Sequence, residues 1–304
     1  MTQLLNALPG ALAQGLIWGV MAIGVYITYK VLDIADLTVD GSICTGAAVC
    51  TMLLLGGQSP WLALLCAVLA GVLAGAVTGL LHVGLGIPPI LAGILTQMVL
   101  WSVNLKLLGK ANQVLPARTT PVLLSQMDVG GALPVLLGFC VVLVALLVLF
   151  FGTELGCALR ATGCNPVMSR AQGVNTGLMK VIGLALSNGV VALSGALLCQ
   201  YQGYTDVNMG RGAVVIGLAA VVIGQAVLGR RGGRMAVQLG GVILGAVIYY
   251  IVYQVIIFAG FDTDLLKMFS AVVVAVFLGA PHVKAQLKAH SRSKKGDSGH
   301  AKNE

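Results

Sequence analysis

Long runs of apolar residues without an internal charge constrain this chain more than any other feature. Leu133–Phe151 and Val214–Leu228 are near-continuous examples. Such runs lack the in-out alternation of a barrel strand, and in lipid only helices and closed barrels satisfy every backbone group. The expected fold is therefore all-α, a polytopic helical membrane protein. Charge content agrees: 9% of residues are charged, against about 25% in soluble domains.

A helical span needs about 20 apolar residues. The candidates are 10–30, 41–57, 61–82, 88–108, 132–151, 176–199, 213–229, 235–258 and 265–281, about nine spans within a range of 8–10. The first stretch has no charged leader and runs on to Tyr29, which argues against a cleavable signal peptide. Residues 1–281 form the membrane domain, and 282–304 read as a basic tail with the composition of disorder. Lys284, Lys288, Arg292, Lys294, Lys295 and Lys302 place that tail in the cytoplasm by the positive-inside rule. Nucleic-acid binding is the other reading of such a tail, and so much membrane beside it speaks against that.

Counting back from the tail, Arg230, Arg231 and Arg234 fall inside, as do Arg160, Arg170 and Lys180 around the 152–175 loop. The N-terminus then lies outside. Lys106, Lys110 and Arg118 land in an external connection, 109–131, against the charge rule. Either that connection is partly re-entrant or one span is miscounted.

Residues 163–175, Gly-Cys-Asn-Pro-Val-Met-Ser-Arg-Ala-Gln-Gly-Val-Asn, form a polar island between apolar spans. Asn165 suits an N-cap, and Pro166 suits the first helical position, where its missing N–H costs nothing. Gly173 supplies a left-handed stop. The prediction is roughly two turns of stiff helix in a loop. A second pattern is a repeat: Asp36-Leu-Thr-Val-Asp-Gly-Ser42 is echoed 170 residues later by Asp206-Val-Asn-Met-Gly-Arg-Gly212. The preceding spans run in opposite directions, which predicts an inverted repeat with polar breaks near a solute path.

Three stretches carry a family resemblance: Gly24–Ser42 with its Asp36-Leu-Thr-Val-Asp-Gly-Ser, Leu159–Asn175 with Arg-Ala-Thr-Gly-Cys-Asn-Pro, and Ser187–Gly217 with Leu193-Ser-Gly-Ala-Leu. Together they resemble the permease subunit of a bacterial ABC importer of the type II architecture, in the group serving branched-chain amino acids, ribose and related solutes. Asp40 departs from the sugar-type motif, which favours an amino-acid-like branch. The resemblance implies a multi-pass protein of the bacterial cell membrane, working with a second permease copy, an ABC ATPase subunit and an extracytoplasmic binding protein. It further implies import of a small solute, an amino acid or a similar small molecule with an aromatic amino acid among the candidates, with ATP bound by the partner and no cofactor in this chain. Residues 163–175 would be the coupling helix, with Arg160, Asn165, Pro166, Arg170 and Gly173 meeting the ATPase. From the residues alone, the same segment is also an ordinary cytoplasmic turn whose arginines meet lipid phosphates.

No phosphate-binding Gly-x-x-x-x-Gly-Lys-Ser/Thr loop, paired carboxylates or nucleophile–base set appears, so the chain is expected to be non-catalytic. The seven cysteines show no metal-ligand spacing, and His82 reads as structural. Polar groups in or beside spans are functional suspects. Asp36, Asp40 and Asp206 either shape a gate or cap helices. Gln97, Asn104, Asn188 and Gln254 either line the path or bond a neighbouring helix. A stand-alone secondary transporter or channel accounts for the same acids and repeat, but not for the capped loop helix.

Overall fold

A computed structural model describes residues 2–116, 120–228 and 234–258, with three single positions beyond. Apart from those three positions, the expected span 265–281 lies outside the described residues, as do the tail 282–304, Arg118 and the arginines 230–231. Among the described residues ten α-helices follow one another: α1 Thr2–Tyr26, α2 Val39–Leu55, α3 Pro60–Gly84, α4 Pro89–Leu108, α5 Val129–Gly152, α6 Glu154–Cys164, α7 Pro166–Ala171, α8 Thr176–Gln202, α9 Ala213–Leu228 and α10 Met235–Phe258. One π-helical turn, Ile27–Val31, extends α1, and two short strands, β1 Asn112–Val114 and β2 Tyr204–Asp206, pair antiparallel. Among the described residues six helices are long and apolar enough to cross a membrane, while α2 and α9 are shorter, with 17 and 16 residues.

Helix α8 is the central element. Asn188 and Ser194 lie fully buried on it, with partners on other helices. Helix α1 runs antiparallel to it, since the Ser187 and Ser194 hydroxyls donate to the carbonyls of Gly24 and Ile17 at 2.7 and 2.8 Å. Helix α2 runs parallel to α8, with Ser42 beside Asn188 and Gly46 beside Ala192. Close approach is what this packing needs. A Cβ on Gly46 would sit 2.1 Å from the Ala192 carbonyl oxygen, and one on Gly195 would sit 2.0 Å from that of Ile43. In lipid, where tails are as apolar as leucine, such small-residue contacts supply the van der Waals attraction that holds helices together.

The two short helices explain the repeat. Helix α2 starts beside the middle of α8 and runs away from the α6–α7 end. Helix α9 packs antiparallel to α10, with Gly224 against Gly241 and Gly245 against Ala220, and runs toward the α6–α7 end. Each is about 25 Å long at 1.5 Å per residue, short of the roughly 30 Å apolar thickness of a bilayer, because each begins part-way through the span. The segments that lead into them share one local device. Asp36 Oδ1 accepts from the Thr38 N–H at 2.8 Å, and Asp206 Oδ1 accepts from the Asn208 N–H at 2.6 Å. These are the same Asx turn at positions 170 residues apart. The α1–α8 contacts obey the same offset, Ile17 matching Ser187 and Gly24 matching Ser194. The sequence echo is thus a pseudo-two-fold axis that crosses the α1–α8 seam.

Among its described residues, the 109–131 connection forms neither a span nor a re-entrant helix. It straps the end of α8 remote from α7: the Leu115 N–H donates to the Gly203 carbonyl at 2.8 Å and the Gln126 N–H to the Tyr201 carbonyl at 3.0 Å. Leu115 and Leu124 are buried beneath the strap. Lys106 and Lys110 therefore lie at the end of the bundle opposite α7. We expect cysteines at Gln58 and Lys110, in a background without native cysteines, to react with an impermeant maleimide from one side only, and cysteines at Leu85 and Gln172 only from the other. Labelling of positions 110 and 172 from the same side would overturn this arrangement.

Candidate functional site

Two places concentrate unusual chemistry. The first is α7. Asn165 adopts extended backbone and its Oδ1 accepts from the Met168 N–H at 3.0 Å, while Pro166 occupies the first turn. At the other end, Gly173 has φ +82°. The Val174 N–H reaches the Ser169 carbonyl and the Gly173 N–H that of Arg170, both at 3.0 Å. This is a Schellman stop, which the glycine permits. Gly163 and Cys164, expected within the same helix, instead end α6, and Asn165 is the corner between the two.

Helix α7 stands clear of the bundle. Val167 is 79% and Met168 62% exposed, and only Ser169 is buried. The two arginines are held locally rather than extended: Arg170 donates to the Thr176 hydroxyl at 3.1 Å, and Arg160 contacts Cys157 Sγ at 3.4 Å. Beside α7 is a concave site of about 470 Å³ lined by Pro166, Val167, Arg170, Ala171 and Lys180. The sequence presents Lys180 only as part of the loop's charge. His82 positions it. His82 Nδ1 lies 2.8 Å from the Ile87 carbonyl, which can only accept, so Nδ1 carries the proton and Nε2 faces Lys180 Nζ at 3.3 Å.

The second place is where the two short helices meet head to head. Asp40, in the first turn of α2, accepts from the Gly212 and Val214 N–H groups at 3.0 Å each, so its carboxylate caps the N-terminus of α9. Free N–H groups and the helix dipole both favour an anion there. The 207–212 segment is further tied to α2 by Cys44, whose thiol donates to the Val207 carbonyl at 3.3 Å and accepts from the Gly210 N–H at 3.1 Å.

Between this junction and α4 lies a cavity of about 520 Å³. Asp40, Gly41 and Cys44 of α2 form one wall, Gln97, Trp101 and Asn104 of α4 another, and Val207 and Arg211 a third. Of the sequence-derived suspects, the fold brings Asp40, Gln97 and Asn104 together here. Asn188 does not line the cavity. Its Nδ2 donates to Asp36 Oδ2 at 2.7 Å and to the Leu184 carbonyl, and its Oδ1 accepts from Ser42 at 2.6 Å. Asp36 and Asn188 are thus fully engaged in a buried helix–helix network, extended by Thr38, Thr78 and Thr96. Asp206 is committed to its Asx turn in β2, and Gln254 lies far along α10, away from the cavity. Trp101 and Arg211 were missed. Trp101 was legible, because Gln97, Trp101 and Asn104 fall at i, i+4 and i+7 on one helical face.

No group of three metal-ligating side chains occurs among the described residues. Comparison with known proteins places this architecture. Residues 8–280 match the model of the branched-chain amino acid transport system permease component. A tyrosine transport system permease protein of Clostridioides difficile is 37% identical over 93% of this chain and 94% of its own length. An uncharacterised protein of Rickettsia prowazekii is 33% identical over 91% of this chain and 98% of its own. The autoinducer 2 import system permease protein of Escherichia coli is 29% identical over 67% of this chain and 60% of its own. No solved structure matches. With the family match spanning residues 8–280 of the 304, the chain belongs to the branched-chain amino acid transport system permease family.

Proposed function

We propose that this chain is the membrane subunit of an ATP-driven importer, that α7 docks in a groove of a separate ABC ATPase, and that the α2–α4 cavity is part of the solute path. The observation that carries the reading is α7 itself. A helix fixed at both ends, yet presenting two large apolar side chains to solvent, has the form of a helix-in-groove ligand. On this reading the α7 end is cytoplasmic, ATP is bound and hydrolysed by the partner, and an extracytoplasmic binding protein delivers solute at the strap end. The basic tail 282–304 is cytoplasmic on the same reading.

The cavity supports a second permease copy. Trp101, Ser102 and Arg211 are exposed part-way along the bundle, and a guanidinium at that depth is costly against lipid. A homodimer that closes the path over these groups removes the cost. The relative that transports tyrosine, together with the acid Asp40 absent from the sugar-type motif, favours an aromatic amino acid as solute. The test is gentle purification of the tagged protein from its native membrane, followed by mass spectrometry. An ABC ATPase recovered in about equal amount supports the reading. A chain recovered alone that moves solute in liposomes without ATP overturns it in favour of a secondary transporter.

A further inference from the structure

Resting on that reading, we infer that the α2–α4 cavity is itself a recognition site for a zwitterionic amino acid bearing a ring hydroxyl, so that the permease selects its solute as well as passing it. Asn104 carries the inference. Its side chain is 1% exposed, yet neither Nδ2 nor Oδ1 has a hydrogen-bond partner. Buried amides are nearly always satisfied, and one left bare is expensive. Every other polar side chain buried nearby is paired: Asn188 with Asp36 and Ser42, Thr51 with Thr205, Gln200 with the Leu123 N–H. The exception faces a cavity, and a ligand group able both to donate and to accept would satisfy it.

The rest of the wall defines that ligand. About 520 Å³ lies within the range of small-molecule sites. Arg211 offers a planar fork suited to a carboxylate. Asp40 has one amide N–H on each carboxylate oxygen, which leaves lone pairs for an ammonium group. The two opposite charges reach the cavity from the α2 start and the 207–212 segment, which are bonded to each other. The α4 wall is neutral and carries an aromatic face, with Trp101 one turn from Gln97 and Asn104. An α-ammonium and α-carboxylate on the charged side leave the solute's side chain against α4: its ring beside Trp101, its hydroxyl at the Asn104 amide. A hydroxyl both donates and accepts, which is what the unpaired Nδ2 and Oδ1 require.

The test uses the purified permease with its ATPase in nanodiscs, without ATP, and radiolabelled L-tyrosine, with unlabelled L-phenylalanine and L-leucine as competitors. The wild type should bind tyrosine and prefer it to phenylalanine. A site built to hydrogen-bond a substrate hydroxyl rejects the analogue that lacks it. Asn104→Leu, of similar volume, should weaken tyrosine binding about thirty-fold, the worth of two neutral hydrogen bonds, and erase the preference over phenylalanine. Arg211→Gln should weaken both aromatic ligands alike. Should Asn104→Leu fail to assemble with the ATPase, Asn104→Ala provides the second variant, with the same loss of preference expected because it too removes both unpaired amide atoms. Unchanged preference in an assembled variant, equal competition by leucine, or no tyrosine binding by a complex that still transports tyrosine would each overturn the inference and leave the importer reading intact. Failure of the importer reading shows differently, as a wild-type chain that recovers no ATPase at all.

Discussion

Replacing Val167 and Met168 together by aspartate is expected to strip the ATPase from the permease and to abolish ATP-driven uptake, while the protein still inserts and purifies as a monodisperse species. Both side chains are mostly exposed on a helix that touches the bundle through little besides Ser169. If they fill a groove, each contributes about 2 kcal/mol of apolar burial on docking, so losing both weakens association by a factor of several hundred. The helix itself is not at risk. Asn165 and the Gly173 stop hold its ends through backbone groups, and carboxylates in a first turn are favoured by the dipole. Loss of the ATPase would thus report on the surface and not on unfolding. The arginines should matter less: Arg170 is bonded to Thr176 and Arg160 to Cys157, and alanine at either should reduce uptake by less than ten-fold, in keeping with the modest worth of exposed charge pairs. Co-purification and uptake measured on the same variants check both statements, and full ATPase recovery with the aspartate pair would remove α7 from the interface.

What could be read without coordinates follows from which interactions are local. All eight expected spans from 10–30 to 235–258 coincide with helices, because a long apolar run in lipid has one backbone solution. The caps of α7 were legible for the same reason: Asn165, Pro166 and Gly173 act on their own immediate neighbours. Helix α6 was hidden inside the 152–175 loop, because Glu154–Cys164 is too polar to read as a span and its burial depends on contacts elsewhere in the chain. The strap at 109–131 was opaque because its partners, Gly203, Gln200 and Tyr201, are some 80 residues away in sequence. The same distinction separates the site residues. Gln97, Trp101 and Asn104 share a face that periodicity exposes, whereas Arg211 and Val207 join them only through the 207–212 return, stitched to Asp40 and Cys44. Asn188 and Gln254 illustrate the limit. Both are amides in apolar helices, and only the fold shows that one is saturated by Asp36 and Ser42 and the other stands on a different helix from the cavity.

Gly163→Val should have the opposite signature to the α7 surface change: the ATPase stays bound and hydrolyses ATP, but uptake is lost. A Cβ at position 163 would lie 1.8 Å from the Val31 carbonyl oxygen and 3.0 Å from the Leu32 Cα, so the side chain cannot be added without driving α6 away from the end of α1. That contact is the short route from α7 to the cavity. Helix α6 joins α7 directly through Asn165, and Val31 and Leu32 open the 32–38 segment, which turns at Asp36 and delivers the start of α2 with Asp40. On the importer reading, this chain of backbone contacts would carry a displacement of α7 to the place where α2 and α9 meet. Overpacking of this kind costs roughly 1–3 kcal/mol, enough to unseat α6 locally but small beside the burial that holds α1, α2 and α8 together. The docking face, Val167 and Met168, is on the far side of Asn165 and is left as it was. Measuring ATP hydrolysis and tyrosine uptake on the same reconstituted complex distinguishes the cases. Hydrolysis near the wild-type rate with uptake reduced at least ten-fold establishes that the Gly163–Val31 contact transmits the stroke, and proportionate loss of both, or of neither, assigns Gly163 to packing alone.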